Sequence, residues 1–141
     1  MGGVASRWNR DNGWMTRLDW NSGALAEGLR CYRAKEFFMA HEHWEGVWLE
    51  SDEPEKTFLQ ALIQTAAAFH HLEHGNRIGT VSLLRAARRR LEPYASCFGG
   101  VRVGLFREEI DAWLQALEVI DVPCELAFPE IGLERFAEEC E

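Results

Sequence analysis

Apolar residues recur at helical spacing through most of the chain, and this period constrains the fold more than any other feature. Leu25, Leu29 and Tyr32 follow Ser22, whose hydroxyl suits a helix N-cap, which predicts a helix running to about Ala34. Gly28 weakens it. A second helix is expected from about Glu36 to Glu50, stopped by the Ser51–Pro54 segment. Pro54 fits the first turn of a third, Glu55 to His74, with Gly75 as its C-terminal cap. Asn76 opens a fourth, with Ile78, Val81, Leu84 and Leu91 on one side, and Pro93 follows it. A loop through Gly99, Gly100 and Gly104 leads to a fifth, where Phe106, Ile110, Trp113, Leu117 and Ile120 form one stripe.

Strand signals are nearly absent, since Val101-Arg102-Val103 is too short to count. Short connections between periodic segments predict antiparallel neighbours, hence an all-α, compact single-domain helical bundle of about five helices. A tetratricopeptide-like array would need a second copy of its signature about 34 residues away, and the chain has none. The expected organisation is an irregular N-terminal arm over residues 1–20, the bundle over 21–122 and an acidic tail over 123–141. The arm carries Trp8, Trp14 and Trp20, read as rings that pack onto the bundle. The tail places Glu130, Glu134, Glu138, Glu139 and Glu141 against Arg135, and reads as a short helix or a frayed end.

Acidic residues number 23 against 15 basic, a formal net charge of -8. That balance speaks against a nucleic-acid partner, which needs a basic face, and against docking on an anionic membrane. No apolar run approaches the roughly 18 residues of a membrane span, and the first residues lack the apolar core of a secretory signal. Cys31, Cys97, Cys124 and Cys140 are scattered without paired spacing and read as reduced thiols of a cytoplasmic protein.

All five histidines (His41, His43, His70, His71 and His74) fall on the second and third predicted helices. On a helical wheel centred on His41, Trp48 lies at about -20°, Phe37 at about -40° and Glu45 at about +40°. An imidazole and a carboxylate thus stand in the stripe expected to face the core, with Glu42 at its edge and His43 pointing away. A buried carboxylate needs a partner, and His41 is one helical turn from Glu45. The third helix sets Gln60 and Gln64 one turn apart on an alanine-rich side, close to His70 and His71. Two amides facing a Glu–His pair can complete a polar network, which either fixes the packing or lines a ligand site.

Three readings stay open at this level. In the first, His41 and Glu45 form a structural hydrogen-bonded pair inside a dimeric interaction module. In the second, His41, Glu42, Glu45, Trp48, Gln60, Gln64 and His70 line a pocket for a small-molecule or protein partner. In the third, His41, Glu45 and His70 hold a divalent metal and Glu42 acts as the base of a metal-dependent hydrolase. His41-Glu42-His43-Trp44-Glu45 is not the two-histidine zinc motif H-E-x-x-H, because its last position is a glutamate. His71 and His74 read as helix-end residues beside the C-terminal dipole. Arg85, Arg88, Arg89 and Arg90 read as a solvated basic face, with pairing to the acidic tail or to an anion as the rival reading.

The stretch from Leu29 to Tyr94 resembles a known family. Its H-E-x-x-E-x-x-W motif, His41 to Trp48, is followed by L-Q-x-L-I-Q, Leu59 to Gln64, and then by His70. The pair is similar to the domain-of-unknown-function family numbered 309, small all-helical proteins of bacteria and archaea. The resemblance implies a compact cytosolic helical protein without an assigned activity. It marks His41, Glu42, Glu45, Gln60, Gln64 and His70 as the characteristic polar positions, with Trp48 beside them. Lys35 and Ala61 stand where the family often has glycine, which bears on one helix end and one close contact.

Overall fold

A computed structural model describes residues 18–119 and 126–134. Its helices are α1 (Gly23–Arg33), α2 (Phe37–Leu49), α3 (Glu55–Glu73), α4 (Arg77–Leu91) and α5 (Val103–Val119), with β1 (Cys97–Phe98) and β2 (Val101–Arg102) between the last two. The five helices expected from the period are all present among the described residues, so the fold is all-α with a minimal hairpin. Successive helices pack as neighbours, α1 on α2, α2 on α3, α3 on α4 and α4 on α5. No helix among the described residues is long and apolar enough to cross a membrane.

The helix ends follow the sequence signals with local differences. Asn76 caps α4, its side-chain oxygen accepting from the Gly79 amide at 2.9 Å. Gly75 takes a left-handed φ of 75° beyond α3. Ser22 precedes α1, but its hydroxyl donates to Asp19 at 2.9 Å instead of capping the helix. The glycine loop is where the reading fails. Gly99 and Gly100 both adopt positive φ and close a two-residue hairpin pairing Cys97 with Arg102 and Phe98 with Val101. Helix α5 then begins at Val103, so Gly104 belongs to a helix and not to the loop.

The core gathers around α3, which buries Phe58, Leu59, Ala61, Leu62, Ile63, Thr65, Ala66, Ala68 and Phe69. To the same core α5 contributes Phe106, Ile110, Trp113 and Leu117, the stripe read from the sequence, with Trp113 edge to face on Phe69 of α3; Ile120 lies outside the described residues. Trp20 is nearly buried, donates its indole N–H to the Gly99 carbonyl at 2.7 Å and meets Trp44 edge to face. This part of the arm packs as expected, while Trp8 and Trp14 lie outside the described residues.

Residues 126–134 correct the picture of a helical or frayed tail. Ile131 is fully buried, Trp113 donates to the Ala127 carbonyl at 2.8 Å, and the Tyr32 hydroxyl donates to the Pro129 carbonyl. Arg33 reaches the Ile131 carbonyl, the Arg102 amide bonds the Gly132 carbonyl, and Leu133 bridges Val101. The segment is an extended strap across α1, α5 and the hairpin. A second correction concerns the cysteines. Cys31 is a free buried thiol, but Cys97 is disulfide-bonded, with its partner outside the described residues. The scattered spacing hid that bond, and with it goes the reduced-thiol argument for a cytoplasmic location.

Candidate functional site

Helix α2 owes its orientation to one aromatic ring. Trp44 is fully buried, donates its indole N–H to the Leu25 carbonyl at 3.3 Å, and lies 5.9 Å from the Tyr32 ring. It fits because Gly28 carries no side chain; a Cβ there would overlap the indole. The glycine that weakens α1 by propensity is therefore what lets α1 and α2 meet.

With Trp44, Phe37 and Ala40 as its buried residues, α2 turns its core side to about -60° on the wheel centred on His41. His41 and Glu45 consequently stand on the flank of the buried stripe and not in its middle, which corrects the sequence-based placement. Neither is buried, and Glu42 is about half exposed. The group is compact all the same. One ligand-type atom from each of His41, Glu42 and Glu45 lies within 4.8 Å of the other two. His41 Nδ1 is shielded from solvent with no hydrogen-bond partner, and its nearest charge is Glu42 Oε2 at 3.4 Å.

Phe38 connects this group to α3. Its half-exposed ring stacks on His41 at 5.9 Å and meets His70 at 5.3 Å. His70 in turn lies 4.4 Å from the His74 ring and 6.1 Å from that of His71. Desolvation, helped by the neighbouring imidazoles of His74 and His71, holds His70 below the ordinary histidine value despite Glu73. His71 Nδ1 faces the Asn76 side-chain amide at 3.1 Å, and His74 Nδ1 lies 2.8 Å from the His70 carbonyl. Both end α3, as the sequence suggests.

The remaining predicted residues are not drawn into the group. Gln60 and Gln64 are half-buried on α3, and among the described residues no hydrogen bond joins either to His41 or Glu45. Gln64 Oε1 and Trp48 Nε1 are shielded atoms without hydrogen-bond partners. The Trp48 ring carries the Lys56 ammonium 4.5 Å from its centroid, a cation–π contact. His70 does not join the convergent set, whereas Glu42, read as a base, does. Sequence reasoning also missed the buried carboxylate of this region. That is Glu55, 5% exposed in the first turn of α3, whose position behind a proline was the available signal.

An all-α protein of sequentially packed helices, with an imidazole–carboxylate group on the flank of its second helix, is the class these features define. Residues 25–83, less than half of the chain, match the family model described as Domain of unknown function (DUF309), and this segment is similar to that family. The match takes in α2, α3 and every residue of the candidate site. It begins and ends somewhat earlier than the Leu29–Tyr94 stretch that carries the motif pair. The family has no assigned biochemical function, and none is added by relatives, since no curated protein matches the chain.

Proposed function

We propose that this protein binds a divalent transition-metal ion on the flank of α2, with His41, Glu42 and Glu45 as protein ligands. The observation that carries the reading is the convergence of these three side chains within 4.8 Å around an imidazole nitrogen that has no hydrogen-bond partner. One imidazole and two carboxylates suit zinc, manganese or iron, and the i, i+1, i+4 spacing lets a single helix present them. Helix α2 is held by Trp44 in the core, so the ligands sit on a rigid element and lose little freedom on binding. Three protein ligands leave coordination positions for water or a partner's donor atom.

The hydrolase reading takes a different form on this geometry. Glu42 belongs to the ligand set, so it is not free to serve as the base, and His70 is set apart from the group by the Phe38 ring. Isothermal titration with zinc or manganese at neutral pH tests the binding reading. One site per chain is expected, weakened at least about tenfold in His41→Asn and in Glu45→Gln, while both variants keep the wild-type circular dichroism. Absence of saturable uptake, or unchanged affinity in both variants, refutes it.

A further inference from the structure

The arginine-rich face of α4 takes no part in the α2 site. Helix α4 packs on α5, and between them runs a groove of about 440 Å³. Its lining among the described residues includes Ile78, Val81, Arg85, Arg89, Leu114 and Leu117. We infer that this groove binds an organic anion, a carboxylate or phosphate monoester head on an unbranched apolar body.

The charge of α4 points to the ligand's head. The helix carries Arg77, Arg85, Arg88, Arg89 and Arg90 and no carboxylate, in a chain whose net charge is -8. Arg88 is neutralised locally, donating to Asp111 at 2.9 Å and to Glu92 at 2.6 Å. Arg77 donates to the Leu117 carbonyl and ties the start of α4 to α5. Arg85 and Arg89 are different. Both are exposed on the groove wall, one helical turn apart, and no hydrogen bond or ion pair to a described residue holds either guanidinium. Like charges at this spacing repel each other, whereas one anion between them gives each guanidinium a charge-assisted hydrogen bond. Arginine forks match the planar carboxylate and the phosphate alike.

The rest of the groove favours an organic anion over an inorganic one. Ile78 is 79% exposed, and it lines the groove with Val81, Leu114 and Leu117. Ile78 precedes Arg85 by two turns, about 10 Å along the helix axis, so an apolar body running back from the arginines covers these side chains. Glu118 follows Leu117, at the Arg77 end, and repels an anionic head placed there. The head is thereby directed to Arg85 and Arg89, and the apolar body to Ile78. The volume falls within the range for organic ligands, about 300–1,000 Å³. The groove shares no residue with the His41 group and stands or falls independently of it.

The test titrates the full chain with octanoate and with octyl phosphate, each below its micelle concentration, and with n-octanol and inorganic phosphate as controls. Calorimetry should find saturable binding of at least one of the two amphiphilic anions, at least about tenfold tighter than of either control. Amide shift changes in nuclear magnetic resonance spectra should centre on Val81, Arg85, Arg89 and Leu114. Replacing both arginines, Arg85→Gln with Arg89→Gln, should weaken binding at least about tenfold, and Ile78→Ser severalfold. Arg90→Gln removes a charge from the same helix outside the groove and should change affinity less than about twofold. Arg85, Arg89 and Ile78 are all exposed, so these variants should keep the wild-type circular dichroism. No saturable binding of either anion, shift changes mapping elsewhere, or an equal loss in Arg90→Gln overturns the proposal. Inorganic phosphate binding as tightly as octyl phosphate overturns it too, since the apolar wall would then have no part. The same residues shifting with protein concentration alone would assign the groove to a second copy of the chain instead.

Discussion

Lys35 carries a left-handed φ of 64° immediately after α1, a conformation that costs a residue with a Cβ about 1–2 kcal/mol. The turn needs it. The Lys35 amide bonds the Tyr32 carbonyl at 3.0 Å and the Glu36 amide bonds the Cys31 carbonyl at 2.8 Å, a reversal that satisfies the end of α1 and starts α2. The Lys35 ammonium also lies 5.7 Å from the Phe128 ring, so replacing the whole side chain mixes two effects. Comparing Lys35→Gly with Lys35→Ala isolates the backbone, since both remove the charge. Urea unfolding should find the glycine variant more stable than the alanine variant by about 1 kcal/mol. Equal stabilities would mean that the turn relaxes around the Cβ.

His70 carries a second residue-scale expectation. Its ionisation is held below the ordinary histidine value in the folded protein, mainly by desolvation and then by His74 and His71. The unfolded chain therefore binds a proton more readily than the folded one, and its contribution to stability is present above the unfolded value near 6.5 and lost as pH falls through the folded value. Stability measured by urea unfolding should decline from about pH 7 towards pH 5. The decline should be shallower in His70→Asn; an identical slope would show that the folded state does not disfavour the protonated ring.

At the scale of elements, α2 shows how one packing contact redistributes a whole helix face. Propensity and period place the helix correctly, within a residue or so at each end. Its rotation was not legible, because Phe37, His41, Trp44 and Trp48 all lie in one broad sector and the wheel alone cannot choose its centre. Trp44 against Gly28 makes the choice, and turns His41, Glu42 and Glu45 outward as a group. The same rotation leaves Phe38 half exposed between His41 and His70. The metal prediction belongs to this scale, since all three proposed ligands move with one helix.

For the molecule as a whole, the strap over residues 126–134 is the contact that closes the fold. It buries Ile131 completely and is held by bonds from Tyr32, Arg33, Arg102 and Trp113 to its backbone carbonyls. Ile131→Ala should cost about 2–5 kcal/mol, the range for emptying a filled core position. Chemical denaturation of that variant checks this. A cost below about 1 kcal/mol would mark the strap as an appendage that adds little to the core.

The sequence by itself determined the five helices, most of their ends, the core stripe of α5 and the residues from which the candidate site is drawn. Those features are local: the helical period, caps such as Asn76 and breakers such as Pro54 and Gly75 act within one or two turns of the chain. Tertiary structure alone decided which side of α2 faces inward, that Glu42 and not His70 joins His41 and Glu45, and that Glu55 is the buried carboxylate. It also turned an acidic tail into a strap and its glycine-rich neighbour into a hairpin. The strap is held through backbone carbonyls, which every residue possesses, and it therefore leaves no composition or spacing to read. Burial of a given side chain likewise depends on what arrives from distant parts of the chain, as Gly28 does for Trp44.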